Sequence, residues 1–301
     1  MRFALQAGGG TYEEILEFAR YAEGRGLEAF ALPDHYLRGD PNVPVLDTLV
    51  TLGGLARETK TIELVLLVGP VTFRHPAVLA KTAATLADMS GDRFTLGVGT
   101  GWLEAEHRLF GFEFPERAVR FEMMEEALAY LRAAFAEPPV AFRGKHYQFE
   151  AFDMQPRPPL RLVVGGTGTQ RTPALAGKYA DELNAYPALP EVFATKVQRA
   201  RAAAVAAGRD PERLTISSAG FFIAADTEAA YRDKLAELAA ASGGTVADLE
   251  ESMRRRNSPH GTWDQVRTTL SGLEAAGMDR FFIQAFGQDP AGIDEVLEKL
   301  G

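Results

Sequence analysis

The chain has 301 residues, no cysteine and a formal net charge of -9 at pH 7, with a pI of about 5.2. The lack of cysteine excludes disulfides, thiolate nucleophiles and zinc–thiolate sites, and the acidic balance argues against a nucleic-acid partner. The longest apolar stretch, residues 62–73, is interrupted by Glu63 and Pro70. We therefore expect no membrane span and a cytoplasmic protein.

The first half of the chain alternates strand-like and helix-like segments. The first helix is preceded by Thr11, with Glu14 three residues later, which is the pattern of a capping box. Hydrophobic period and turn residues predict strands over 2–7, 29–32, 61–69 and 93–98, and helices over 12–25, 47–58, 77–89 and 116–136.

The second half begins with a break in this rhythm. Residues 140–152 predict a hairpin with Gly144 at its turn, and the polar, charge-dense residues 242–260 predict a helical insertion. Between and after them the pattern predicts strands over 160–165, 182–185, 214–223 and 280–286, helices over 172–179, 190–207, 227–241 and 262–276, and a last helix at the end of the chain.

The alternation indicates an α/β fold. Eight strand–helix units in a chain of this length favour the (β/α)8 or TIM barrel over an open doubly wound sheet. The runs LVLLVG and RLVVGG are apolar throughout, as parallel strands buried on both faces should be. We predict a single domain over 1–301 with insertions near 138–158 and 242–260. In such a barrel, functional groups lie at the carboxyl ends of the strands.

That rule selects the candidate catalytic residues. Asp34 and His35 follow the second strand; a lone histidine is often a packed structural residue, but this position and its neighbour favour a proton donor or acceptor. Trp102 follows the fourth strand and either stacks on a planar ligand or caps the barrel mouth. Glu106 and His107 come next, as candidate catalytic groups or as a surface ion-pair cluster near a helix start.

Other chemistries lack their parts. Glu104 and His107 have the i,i+3 spacing of carboxylate-bridged metal sites, but there is no second such pair and no HExxH motif, so we expect no metal. A GxSxG elbow is absent, and no lysine falls at a predicted strand end, which argues against a hydrolase and a Schiff-base aldolase. A redox cofactor that carries the reaction itself suits what remains.

Two glycine-rich turns bear on cofactor binding. Residues 165–169, GGTGT, join an apolar strand to a helix, and their bare N–H groups, two hydroxyls and the helix dipole favour a phosphate; the alternative is a tight βα turn. The run Gly97-x-Gly99-x-Gly101 is not GxGxxG, because Trp102 stands where the third glycine belongs. It therefore provides only a weak signal for a dinucleotide site.

Several motifs, taken in order, resemble the luciferase-like monooxygenase superfamily and, within it, the coenzyme F420-dependent oxidoreductases. They are PDH, VTFRHPAVLAK, LGVGTGW followed by EAEH and FGFEFPE, VVGG, GTWDQVRTTL and AAGMDRFFIQAFG, and they cover nearly the whole chain. The resemblance implies a barrel that binds coenzyme F420, or alternatively FMN, across the strand ends. It also implies a small-molecule substrate, and dimers are common in the family.

The resemblance further implies roles for particular residues. Asp34 and His35 would lie beside the ring, and a bulge over 67–70, often with a non-prolyl cis peptide, would back it. Relatives that oxidise sugar phosphates carry a catalytic glutamate where Trp102 stands, so a different substrate is expected, or a barrel that binds cofactor without turnover. The cofactor-binding residues predicted are Asp34, Val68, Gly69, Gly99, Thr100, Gly101, Gly165, Gly166 and Thr167.

Overall fold

A computed structural model describes residues 1–37, 44–285 and 290–300. The strand predicted over 280–286 ends at Gln284 in the structure, and Phe286 lies outside the described residues. In chain order the strands are β1 (Arg2–Gln6), β2 (Ala29–Leu32), β3 (Glu63–Pro70), β4 (Phe94–Gly99), β5 (Phe142–Arg143), β6 (Gln148–Phe149), β7 (Arg161–Gly166), β8 (Glu182–Ala185), β9 (Thr215–Gly220), β10 (Ile223–Ala225), β11 (His260–Thr262) and β12 (Arg280–Gln284).

Eight of these strands close into a parallel barrel in the order β1-β12-β9-β8-β7-β4-β3-β2. The barrel closes through the pairing of β1 with both β12 and β2. Because each crossover between parallel strands passes through a helix on the outside, both faces of every barrel strand are buried. The predicted (β/α)8 fold is confirmed.

The helices begin where the sequence supplies caps. At the start of the first one, Glu14 N–H lies 3.3 Å from Thr11 Oγ1 and Thr11 N–H lies 2.8 Å from the Glu14 carboxylate, which confirms the capping box. None of the described helices is long and apolar enough to cross a bilayer. They are α1 (Tyr12–Gly24), α2 (Thr48–Glu58), α3 (Pro76–Ser90), α4 (Glu104–Phe110), α5 (Arg117–Ala134), α6 (Arg171–Tyr179), α7 (Pro190–Ala206), α8 (Glu228–Ser242), α9 (Val246–Arg256), α10 (Trp263–Ala275) and α11 (Pro290–Leu300).

Two hydrophobic clusters hold the barrel. The larger lies between the strands and the surrounding helices, and includes fully buried residues such as Leu52, Leu96 and Phe193. The smaller fills the barrel interior with residues from the inward faces of the strands, namely Ala4, Ala29, Ala31, Val65, Leu67, Val163 and Phe282.

The segment after β9 leaves the barrel earlier than the sequence predicts. The predicted strand 214–223 ends at Gly220, and Ile223–Ala225 instead pairs with His260–Thr262 in a separate two-stranded sheet. The apolar residues beyond β9 are used in another core, where Ile223, Tyr231, Leu235 and Met253 pack together. The resulting excursion over 221–262 includes α8 and α9 and stands at the carboxyl side of the barrel.

The predicted hairpin over 140–152 is present as the antiparallel pair β5 and β6. Its turn is fastened to α5, because the N–H groups of Lys145, His146 and Tyr147 all donate to the Glu126 carboxylate at 2.7–3.1 Å. These hydrogen bonds hold the hairpin against the outer face of α5, outside the barrel wall.

Candidate active site

Three of the four predicted catalytic side chains meet at the carboxyl ends of β2 and β4. His35 Nδ1 lies 3.0 Å from Glu106 Oε2, although the two residues are 71 positions apart in the chain. The Trp102 ring stands nearly perpendicular to the His35 ring, with 5.9 Å between centroids and an interplanar angle of 84°. Trp102 itself is 73% exposed, so its indole forms part of the open rim of the barrel.

Glu106 is the buried anchor of this group, with only 1% of its surface exposed. One carboxylate oxygen faces His35, and the other accepts hydrogen bonds from the N–H groups of Tyr36 and Leu37, the latter at 2.9 Å. A carboxylate opposite Nδ1 fixes the ring in the tautomer with the proton on Nδ1. Among the described residues, His35 Nε2 then has no hydrogen-bond partner.

His107 occupies a different position, in the wall behind the rim. Its Nε2 lies 2.6 Å from Thr72 Oγ1 and its Nδ1 lies 2.9 Å from the carbonyl oxygen of Leu103. Its ring packs against Phe73 and Phe114, at centroid distances of 5.0 and 4.4 Å. Both ring nitrogens are thus engaged, and the side chain is 1% exposed, so the fold does not bring His107 to the mouth with His35.

Asp34 is likewise turned into the protein. Its carboxylate pairs with both terminal nitrogens of Arg74, at 2.5 and 3.3 Å, and Arg74 also donates to Asp47 at 2.8 Å. Burial raises the pKa of the Asp34 carboxyl, and the guanidinium of Arg74 opposes that rise. Arg74 lies within the VTFRHP motif, but no role is predicted for it from the sequence. Its positive charge, and the negative charge of the aspartate in the PDH motif, are the only features of the sequence that could have indicated the pair.

The bulge predicted after the third strand is present in β3. The register between β3 and β4 shifts between Leu66 and Gly69, and the peptide bond Leu67–Val68 is cis. Val68 is half-buried and lies against the small cluster inside the barrel. The stretch that the resemblance pointed to therefore has an irregular backbone at the carboxyl end of β3.

The neighbouring glycines make room for Val68. A Cβ atom added at Gly97, Gly99 or Gly165 would lie 2.7–2.8 Å from a Val68 methyl group, closer than real side chains come. Three glycines on β4 and β7 therefore accept one valine side chain from β3. Gly101 has a different reason to be glycine, because its φ of +75° is a conformation that other residues rarely adopt.

The GGTGT loop leads from β7 into α6. Gln170 precedes the helix, and no side chain caps its first turn, so these N–H groups remain available to an acceptor. The loop turns tightly over Thr172, whose Oγ1 would lie 2.8 Å from a Cβ at Gly168. Thr167 is exposed, while Gly166 and Thr100 are half-buried.

Two arginines stand close to that loop. The guanidinium groups of Arg171 and Arg117 lie over the ring of Phe121, at 4.6 and 5.7 Å from its centroid. Neither arginine has a carboxylate within ion-pair distance among the described residues. Uncapped N–H groups beside cations without counter-ions fit a phosphate or another anionic group.

The opposite end of the barrel is closed by ionic contacts that sequence analysis missed. Arg280, at the start of β12, is 3% exposed and pairs with Glu182 and, at 2.7 Å, with Glu63. Thr95 and Ser217 donate hydrogen bonds to the same two carboxylates. Arg280 therefore compensates two buried carboxylates at the amino ends of the strands, on the face opposite to the candidate site.

No group of three or more histidine, aspartate or glutamate side chains within 1–37, 44–285 and 290–300 is arranged to hold a metal ion.

The model for the family described as luciferase-like monooxygenase matches residues 2–280. An F420-dependent glucose-6-phosphate dehydrogenase of Microbacterium testaceum is 32% identical over 189 residues, covering 60% of this chain and 55% of the relative. A pyrimidine monooxygenase of Stutzerimonas stutzeri is 28% identical over 236 residues, covering 74% of this chain and 64% of the relative.

The chain thus spans a little over half to two thirds of the length of these curated relatives. Among solved structures, an F420-dependent secondary alcohol dehydrogenase in complex with an F420–acetone adduct superposes with a TM-score of 0.82 at 20% identity, over 100% of this chain and 99% of the other. An EDTA monooxygenase from Chelativorans sp. BNC1 gives 0.81 at 18% identity, over 100% and 92%. At these identities the superpositions establish the fold.

Proposed function

Since the chain belongs to the luciferase-like monooxygenase family, we propose that it is an oxidoreductase that binds coenzyme F420 at the carboxyl ends of its barrel strands. The observation that carries the proposal is the His35–Glu106 pair, which leaves His35 Nε2 without a partner in the described part of the chain, beside the exposed indole of Trp102. The matched relatives described as F420-dependent support this choice of cofactor.

The residues present suit a planar ring with an anionic tail. The Val68 bulge offers an apolar surface for the ring; Gly99, at the end of β4, lies against it, and Thr100 follows directly in the chain. The tail would be held by the main-chain amides of residues 165–167 and the first turn of α6, with Arg171 as a nearby cation. Each of these groups lies on a barrel strand or directly after one.

When bound, the deazaflavin supplies hydride transfer between its ring carbon and a carbon of the substrate. His35 moves the accompanying proton at Nε2, to the substrate in a reduction or from an alcohol in an oxidation. Glu106 stabilises the imidazolium form and keeps the ring oriented through its contact with Nδ1. His107 and Asp34 do not face the substrate. They hold the rim in place through hydrogen bonds, His107 with Thr72 and Asp34 with Arg74.

The substrate class follows from the residue at position 102. An indole stands where the resemblance places a glutamate in sugar-phosphate oxidisers, so this part of the rim offers an apolar, flat surface. We infer a small, uncharged organic substrate, such as an activated double bond or an alcohol, packed against Trp102. A cytoplasmic location and a homodimeric state are also part of the proposal; light scattering of the purified protein tests the oligomeric state.

FMN-dependent monooxygenation is the second candidate. It is favoured by the pyrimidine monooxygenase relative, which aligns with a larger share of this chain than the dehydrogenase does. The Val68 bulge suits the tricyclic ring of either cofactor, and the GGTGT loop suits the anionic tail of either. The structure alone therefore favours neither cofactor.

A titration separates the two candidates. Purified apoprotein is mixed with F420 or with FMN, and the fluorescence of the cofactor is followed. Stopped-flow measurement of the reduction and oxidation of the bound cofactor is the second readout. We expect micromolar or tighter F420 binding, and a His35→Ala variant that binds F420 normally but transfers hydride about 100-fold more slowly. Tight FMN binding without F420 binding would discard the first candidate, and unchanged rates in His35→Ala would remove His35 from the reaction.

A further inference from the structure

Two glutamines, one buried and one half-buried, form a hydrogen-bonded chain that ends on the β3 bulge. Gln6, at the end of β1, is 3% exposed, and its Nε2 donates to the carbonyl oxygen of Leu67 at 3.0 Å. Gln284, at the end of the adjoining β12, donates from Nε2 to Gln6 Oε1 at 2.8 Å. The chain therefore crosses the barrel interior from β12 through β1 to β3, passing over β2.

The Leu67 carbonyl needs this donor because the sheet does not supply one there. The register of β3 with β2 ends at Leu66, and the register with β4 stops at the same residue and resumes only at Gly69. Leu67 is nevertheless buried, and a buried carbonyl without a partner is strongly disfavoured. The side-chain amide of Gln6 replaces the missing ladder bond.

The same segment is held from the other side by packing. Val68 inserts between Gly97 and Gly99 on β4 and Gly165 on β7, where no Cβ atom would fit. Those contacts prevent Val68 from moving toward β4 or β7, whereas Gln6 holds the preceding carbonyl toward β1. The bulge is thus clamped between a hydrogen bond and a steric socket.

We propose that Gln6, oriented by Gln284, is a positioning residue that sets the height of the Val68 bulge beneath the cofactor ring. This inference rests on the proposed function for the presence of a ring above Val68, but not for the hydrogen bond that holds the bulge. A glutamine suits the position because its amide donates to Leu67 and accepts from Gln284 at the same time. A glutamate would still accept from Gln284, but as a carboxylate it would place an acceptor against the Leu67 carbonyl.

The first test needs no cofactor. Hydrogen–deuterium exchange of the peptide over 64–72 is compared in the wild type, Gln6→Leu, Gln6→Glu and Gln284→Leu, with Gln148→Leu as the control. Gln148 is an exposed glutamine on β6, away from the mouth. We expect exchange in this peptide to rise about tenfold in both Gln6 variants and less in Gln284→Leu. Unchanged exchange in all three would overturn the inference, whichever cofactor binds.

The second test measures the ring. Dissociation constants and the visible spectra of bound F420 and bound FMN are recorded for the same variants. We expect about tenfold weaker binding and a shifted spectrum for Gln6→Leu, with Gln148→Leu matching the wild type. If the wild type binds neither cofactor, the proposed function fails while the exchange result still decides the role of Gln6. If Gln6→Leu fails to fold, Gln284→Leu, which keeps the Gln6 side chain but removes the hydrogen bond that orients it, decides by the same two measurements.

Discussion

The packing of Val68 against its glycines predicts a rescue between two substitutions. A Cβ atom at Gly99 would lie 2.8 Å from Val68 Cγ2, whereas its next contact, with the Gly165 carbonyl oxygen, is an ordinary 3.4 Å. Gly99→Ala alone should therefore destabilise the barrel by about 1–3 kcal/mol, the usual cost of overpacking. Val68→Ala alone removes two half-buried methyl groups and should cost about 1 kcal/mol.

The double variant should be less damaged than the sum, because truncating Val68 removes the atom that the new methyl group meets. We expect a total loss of about 1 kcal/mol and a coupling energy of about 1–3 kcal/mol. Gly97→Ala should not be rescued by Val68→Ala, since its Cβ would also lie 2.0 Å from the backbone oxygen of Leu66.

Urea denaturation followed by circular dichroism measures the three single variants and the two double variants against the wild type. Gly53→Ala is the matched control: it lies within α2, and its Cβ would meet Leu86 at a normal 3.5 Å, so it should stabilise by about 0.5–1 kcal/mol. Additive losses for Gly99→Ala and Val68→Ala would refute the idea that the glycines exist to admit Val68.

Three further predictions concern charged groups. Glu106→Gln should slow hydride transfer by about 100-fold with little change in cofactor affinity, because an amide no longer stabilises protonated His35; stopped-flow rates check this. Burial opposes ionisation of Glu23, but the N–H groups of residues 60–62 outweigh it and lower its pKa to about 2. Because the folded-state pKa lies below the ordinary 4.5, the stabilisation from ionised Glu23 is complete above pH 4.5 and is lost as the pH falls toward 2. Glu23→Gln should therefore cost about 1–3 kcal/mol of stability at pH 7 and nothing near pH 2. Thermal melts at the two pH values measure this difference. Arg280→Leu should cost about 3–5 kcal/mol in denaturant unfolding, because it leaves buried carboxylates uncompensated; a loss under 1 kcal/mol would contradict that.

The elements of the barrel were predictable because their signals are local. β2 and β8 have the predicted bounds, and most other elements differ by one or two residues at their ends. The error at β9 came from a continuous apolar run, 214–223, in which nothing marks that two different cores share the residues. Period alone cannot assign a hydrophobic residue to one core or another.

Position along the chain was also enough to place His35 at the carboxyl end of β2, where the functional groups of such barrels lie. It was not enough to choose its partner. Glu106 and His107 are adjacent and equally titratable, yet helix α4 directs one to His35 and the other to Thr72. Successive residues of a helix point about 100° apart, so the rotation of α4 on the barrel decides which of them reaches the mouth.

The amino-acid sequence by itself determined the alternation of strands and helices, the closure into eight units and the rim on which polar residues collect. Only the tertiary structure decided what each of those residues touches: that Asp34 faces Arg74, that the glycines admit Val68, and that Gln6 reaches Leu67 across 61 positions of chain. The physical reason is that backbone preference acts over a few neighbours, whereas these contacts depend on how distant strands are registered and how far each side chain extends into the barrel.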